Sequence, residues 1–136
     1  MLSVTTKTQY GLLALMDLAE HYGKDLVQIA DIVRRRVVPK NYLEQILNRL
    51  TKTGIVKSVR GNKGGYELGL HPDDLTLLRV VEALEGEIVL KNEKLSPALI
   101  EILDKAEKAV REQMDVSLSE LLERQRVLEQ QIMYSI

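Results

Sequence analysis

Two groups of side chains in this 136-residue chain have the chemistry to recognise a nucleic acid. The first comprises Asn41, Gln45, Asn48 and Lys52, with Glu44 at its edge. At about 100° per residue these positions share one face of a helix. Asn and Gln can pair bidentately with adenine, and Glu can accept from the amino group of cytosine. The second is Arg60-Gly61-Asn62-Lys63-Gly64-Gly65, two cations within a glycine-rich run. Glycine tolerates positive φ and close backbone approach, so this run can turn tightly and hold its cations at the tip. A polar helix face is also what any solvated helix shows, and a glycine-rich loop can belong to a nucleotide site. The run lacks the G-x-x-x-x-G-K-[ST] pattern of such a site, and its flanks predict a hairpin instead of a strand-to-helix turn.

The surrounding pattern supplies elements to position both groups. Tyr10 to Tyr22 is dense in Leu, Ala and Met and predicts a buried helix stopped by Gly23. A second helix is predicted over Ile29–Arg36, where Gln28 and Asp31 have the spacing of a weak capping box. Val37-Val38-Pro39 interrupts, and Pro is well suited to open the third helix, from Lys40 to about Thr53. In that helix Leu43, Ile46, Leu47 and Leu50 follow the i, i+3, i+4, i+7 spacing of an inward face. Beyond Gly54 the period changes to 2, and Ile55–Val59 and Tyr66–Leu70 predict a hairpin. Three helices followed by a hairpin is the winged-helix order, with the two polar groups on its third helix and its wing.

Composition narrows the function classes. The absence of cysteine removes disulfides, thiolate zinc sites, cysteine-ligated iron-sulfur clusters and thiol redox sensing. His21 and His71 have no i, i+3 or i+4 relation, so no metal site is expected, and no motif sets a histidine beside a nucleophile. The chain is therefore read as a non-enzyme without a cofactor. Its apolar runs fall short of the roughly 18 residues of a membrane span, and no signal peptide is evident, which predicts a cytoplasmic protein. Charge is segregated: residues 1–70 carry a balance of +5 and residues 71–136 one of −6. Between Asp31 and Gly65 stand 9 basic residues against 2 acidic, the footprint of a phosphate-facing surface or of a solvated basic face.

Thr76 can cap a fourth helix over Leu77–Glu85, closed by Gly86, which should complete the winged unit. Ser96-Pro97 opens a long helix whose Leu99, Ile102, Leu103, Ala106, Val110 and Met114 fall on one face. That stripe needs a partner. The same helix of a second subunit is one solution, and folding back on its own domain is the other. Ser117 and Glu120 form a capping box for a last helix over Leu118 to about Gln131. The expected division is a DNA-binding domain over 1–86, then a linker, dimerisation helix and C-terminal helix over 87–136.

The motifs Tyr42-Leu43-Glu44-Gln45-Ile46-Leu47, Gly54 to Gly61 and Gly64-Gly65-Tyr66 closely resemble the Rrf-two family of bacterial winged helix-turn-helix transcription regulators. The likeness extends to Ala83-Leu84-Glu85-Gly86 and, more weakly, to Ser117–Leu121, covering most of residues 4 to 122. It implies a mostly α winged-helix fold with a two-stranded wing and a long C-terminal helix that crosses its partner in a dimer. It also implies roles for particular residues. Glu44 stands at a base-contacting position with Asn41 beside it, Arg60 matches a wing arginine that enters the minor groove, and Thr6 and Lys7 match a segment near the phosphate backbone. Three departures stand out: Gln9 for a common arginine, Val37 for the usual glycine of the helix-helix turn, and no cysteine between Glu87 and Ser96 where cluster-binding relatives carry three.

Together these readings predict a DNA-binding repressor acting as a homodimer on a palindromic operator. Its DNA contacts are expected from Thr6, Lys7, Lys40, Asn41, Tyr42, Glu44, Gln45, Asn48, Arg60, Gly61, Lys63 and Gly64. A regulatory protein or small effector remains open as a further partner. The alternative is a winged-helix adaptor that binds proteins and has lost DNA.

Overall fold

The computed structural model describes residues 3–90 and 93–135. Its elements run α1 (Thr6–Glu20), α2 (Ile29–Arg36), α3 (Lys40–Lys52), β1 (Val56–Val59), β2 (Gly65–Leu68), α4 (Leu77–Glu85), α5 (Pro97–Met114) and α6 (Leu118–Ser135). This is the winged-helix order expected from the sequence. Three boundaries differ appreciably. Helix α1 begins four residues before Tyr10, because the Thr5 hydroxyl accepts from the Thr8 N–H at 3.3 Å and caps it there. It also ends earlier, at Glu20, and His21 to Lys24 form a turn. Helix α6 runs past Gln131 to Ser135.

The core forms where α1, α3 and the base of the hairpin meet. Leu15 and Leu18 of α1, Ile32 of α2 and the four inward residues of α3 are all buried, as are Ile55, Val56, Leu68 and Val80. Full burial of such a side chain contributes roughly 1.5–3 kcal/mol. Gly11 is part of this fit, since a Cβ there would stand 2.8 Å from Leu84 Cδ1.

The core does not close with α4. Leu118 at the start of α6 is fully buried, and Leu121 and Leu122 pack against the same cluster. Two backbone bonds bring α6 back: Leu77 N–H to the Val116 carbonyl at 2.8 Å, and Leu118 N–H to the Leu75 carbonyl at 2.9 Å. The last helix thus docks on the winged unit beside α1, whereas α5 has no buried residue.

Strands β1 and β2 are antiparallel, with Val56 opposite Leu68 and Val59 opposite Gly65. A single bridging residue joins them. Val27 and Tyr66 exchange backbone hydrogen bonds of 2.9 and 2.8 Å, tying the wing to the segment that enters α2.

Candidate nucleic-acid interface

Helix α3 presents the face predicted for it. Leu43, Ile46, Leu47 and Leu50 are buried, whereas Asn41, Glu44, Gln45, Asn48 and Lys52 are exposed. Burial fixes the roll of the helix, so the hydrogen-bonding side chains face outward as a set. Lys40 Nζ lies 4.0 Å from Glu44 Oε1, a loose pair on two exposed side chains. Tyr42 is half exposed, its ring centroid 5.9 Å from that of Tyr10, which restrains it against α1.

The turn before α3 is unusual. Val37 takes the left-handed conformation at φ 53° and ψ 51° and ends α2 by donating to the Val33 carbonyl at 3.1 Å. The family's usual glycine is absent, yet the turn keeps a glycine-like path. Val38 is then buried, and Pro39 caps α3.

In the wing, Arg60, Gly61 and Lys63 are exposed. Gly61 has φ 115°, a conformation other residues rarely adopt. Gly64 is placed differently from its expected role as a contact. It is buried, its N–H donates to the Gly61 carbonyl at 3.0 Å, and its own carbonyl accepts from the Gln28 side-chain amide. A Cβ at Gly64 would run into the Val59 carbonyl, so this glycine shapes the turn from inside.

Thr6 and Lys7 are exposed on the first turn of α1. That turn is anchored by Glu85, whose Oε1 accepts from the Thr5 N–H at 2.9 Å and the Thr8 hydroxyl at 2.6 Å. Hydroxyl bonds from Thr5 and Thr8, with the Thr5 amide, hold the Glu85 carboxyl below its usual range.

The basic footprint needs one correction. Arg35 and Arg36 are tied to the buried Asp17 of α1, although the Arg35 side chain stays 35% exposed. Arg36 also reaches Glu20 at 2.8 Å. Asp17, Glu20 and His21 could otherwise be read as a metal cluster, but both Asp17 oxygens already accept from guanidinium groups. His21 Nδ1 lies 2.8 Å from the Asp17 carbonyl, and His71 stands in a loop against Asp73.

The apolar stripe of α5 is unevenly covered. Leu99 is 51% exposed and Ile102 60%, while Leu103 and Ala106 are half-buried. Val110 and Met114 line an apolar cavity of about 370 Å³ with Val4, Val81, Ile88 and Leu90. Arg111 secures the wall of that cavity by donating to the Ile88 carbonyl at 2.8 Å and to Glu82 at 3.1 Å.

Among the described residues, no helix is long and apolar enough to cross a membrane. The family described as Rrf2, Iron-dependent Transcriptional regulator, matches residues 4–127. The chain is 36% identical over 118 residues to the HTH-type transcriptional regulator CymR of Bacillus subtilis, covering 84% of each chain. It is 39% identical over 87 residues to the HTH-type transcriptional regulator IscR of Aliivibrio salmonicida, a match spanning 64% of this chain and 52% of that one. The solved structure of CymR, the global cysteine regulator of B. subtilis, superposes with a TM-score of 0.82 at 35% identity, over 91% of this chain and 98% of the other.

The residues present do not fit a thiolate-held iron-sulfur cluster. The chain has no cysteine, and the α4–α5 connection offers carboxylate donors such as Glu87, which lies 3.7 Å from Arg111. Residues 91 and 92 of that connection, a lysine and an asparagine, lie outside the described residues. With its match spanning nearly the whole chain, and with a recognition helix and wing in winged-helix order, this protein belongs to the Rrf2 family as a DNA-binding helix-turn-helix transcriptional regulator.

Proposed function

We propose that the protein is a cytoplasmic repressor that binds a palindromic operator as a homodimer and carries out no catalysis. The observation that carries this reading is the sorting of α3: four apolar residues buried, and Asn41, Glu44, Gln45 and Asn48 outward as a set. In the major groove such a face reads bases, while Thr6, Lys7, Lys40, Arg60 and Lys63 meet phosphates or the flanking minor groove. Tyr42 and Gly61 complete the contact set by shape.

Two-fold symmetry follows from α5. An 18-residue helix with Leu99 and Ile102 more than half exposed is supported by a second copy of itself, giving an isologous interface. The functional division then falls near residue 86, with DNA contacts before it and dimerisation after it. A partner protein or small effector acting on α5 would supply regulation in place of a cluster.

Selection from a library of random 25-base-pair duplexes tests the proposal. Enrichment of an inverted repeat with half-sites about one helical turn apart, bound by two protomers, is the expected result. Salt-insensitive binding with no enriched sequence would overturn it and indicate an adaptor.

A further inference from the structure

The wing's anchorage to α2 assigns a role to a residue outside the contact set. A two-stranded hairpin of four residues per strand is marginal alone, so something else must fix where its tip points. Two bonds between Val27 and Tyr66 hold β2 one residue from its tip-side end. Nearer the tip, the Gln28 side-chain amide donates to the Gly64 carbonyl, across 36 residues of sequence. Gly64 belongs to the tight turn that carries Arg60 and Lys63 and is itself closed onto Gly61.

We propose that Gln28 is the positioning residue of the wing: its amide, bonded to the Gly64 carbonyl, holds Arg60 and Lys63 in fixed relation to the recognition helix. This rests on the reading of the wing as a DNA contact. Gln28 stands at the N-terminus of α2, the helix that precedes α3 in the helix-turn-helix unit, so one side chain joins the wing to the body that carries the recognition helix. Helix and wing must engage one duplex together. A pre-set wing meets its phosphates without a further ordering cost, whereas a wing that swings does not.

The α2 cap rests only in part on the Gln28 side chain, which forms a capping box with Asp31. The Gln28 carbonyl accepts from the Asp31 and Ile32 N–H groups at 3.0 and 3.3 Å, and its N–H donates to Asp31 Oδ2 at 3.3 Å. These bonds use the backbone and survive truncation of the side chain. Gln28→Ala is therefore expected to fold.

The experiment is a mutant cycle in the full chain, with affinity for a random-sequence 30-base-pair duplex measured at several salt concentrations. The variants are Gln28→Ala, Arg60→Ala/Lys63→Ala and the triple combination. Gln28→Ala should weaken binding about fivefold, the equivalent of one ordinary hydrogen bond, and lower the salt slope. In the Arg60→Ala/Lys63→Ala background it should have no effect, because there is no wing contact left to position. Gln28→Met, which keeps the length and neutrality but cannot donate, should match Gln28→Ala in that coupling.

Equal losses from Gln28→Ala in both backgrounds would overturn the proposal and make Gln28 an independent contact or a general stabiliser. So would unchanged binding by Gln28→Ala when Arg60→Ala/Lys63→Ala itself weakens it. If Arg60→Ala/Lys63→Ala leaves binding unchanged, the wing assignment itself fails and this inference with it.

Discussion

Asp17 of α1 and Arg35 of α2 form a two-point ion pair in which the carboxylate has no exposure: Nε to Oδ1 at 3.0 Å and an η nitrogen to Oδ2 at 2.7 Å. Arg36 adds a third bond at 3.1 Å. Burial by itself raises the Asp17 carboxyl, but Arg35 and Arg36 outweigh it and hold the group below the ordinary aspartate value of 3.8. A carboxyl depressed by folding contributes stability that is present above its unfolded value and is lost as pH falls through its folded value. The ion pair should therefore support the fold at neutral pH and fail in acid, below about pH 4. Glu85, also held low, works in the same direction. Asp17→Ala should cost about 2 kcal/mol at pH 7, because it takes the buried partner from Arg35 and leaves Arg36 with Glu20 alone. Denaturant melts between pH 7 and pH 3 check this, with the gap between wild type and variant narrowing as pH falls below about 4. A constant gap across that range would contradict it.

Which parts of this protein were legible in its sequence follows from how local their causes are. Helices α2 and α4 begin and end where the sequence reading put them, because their caps are nearest neighbours: Gln28 with Asp31, and Thr76 with Gly86. The first turn of α1, Thr6 to Gln9, has no apolar periodicity and escaped notice; its cause is a threonine hydroxyl and a glutamate 80 residues away. Asp17 sits inside an apolar run with no local sign of its partners, and the arginines that neutralise it count in sequence simply as part of the basic footprint. Nothing within a dozen residues of Leu118 signals that it completes the core, nor does any local pattern pair Gln28 with Gly64. By contrast the α3 face was readable, since one helix period determines both what is buried and what is left outward.

Val37 offers a second test. A β-branched residue in the left-handed region costs about 1–2 kcal/mol, and this side chain is 84% exposed, so little packing offsets the cost. Glycine removes the strain but adds unfolded-state entropy. Val37→Gly should still stabilise the protein by about 0.5–1 kcal/mol, raising Tm by roughly 2–4 °C. Calorimetry at matched protein concentration is the check. A lower Tm would mean that the Val37 side chain contributes a contact outside the single chain.

The α5 stripe predicts a constitutive dimer. Ile102→Glu with Ala106→Glu would bring two charges per subunit into an apolar seam, at a cost of several kcal/mol of association. Sedimentation at about 10 μM should show twice the chain mass for the wild type and a single chain mass for the variant. The variant should keep its helical circular dichroism, since α5 buries no residue in one chain. A monomeric wild type would remove the basis of this assignment.

The last prediction separates base reading from anchoring. If α3 lies in the major groove, the Glu44 carboxylate can discriminate bases, but it repels the phosphates it passes. Glu44→Ala should therefore relax sequence preference and leave affinity for random duplex unchanged or raised. Loss of the carboxylate also frees Lys40 from its 4.0 Å pairing, which favours phosphate further. Arg60 has the opposite character, because a cation on the wing gains from phosphate or a narrow minor groove with little regard to base. Arg60→Ala should weaken selected and scrambled duplexes alike and reduce the salt slope by about one unit if one phosphate contact is lost. The measurement is affinity for a selected duplex and its scrambled counterpart across a salt series, for the wild type and both variants. Equal weakening of both duplexes by Glu44→Ala, with no effect of Arg60→Ala on either, would reverse the roles of helix and wing.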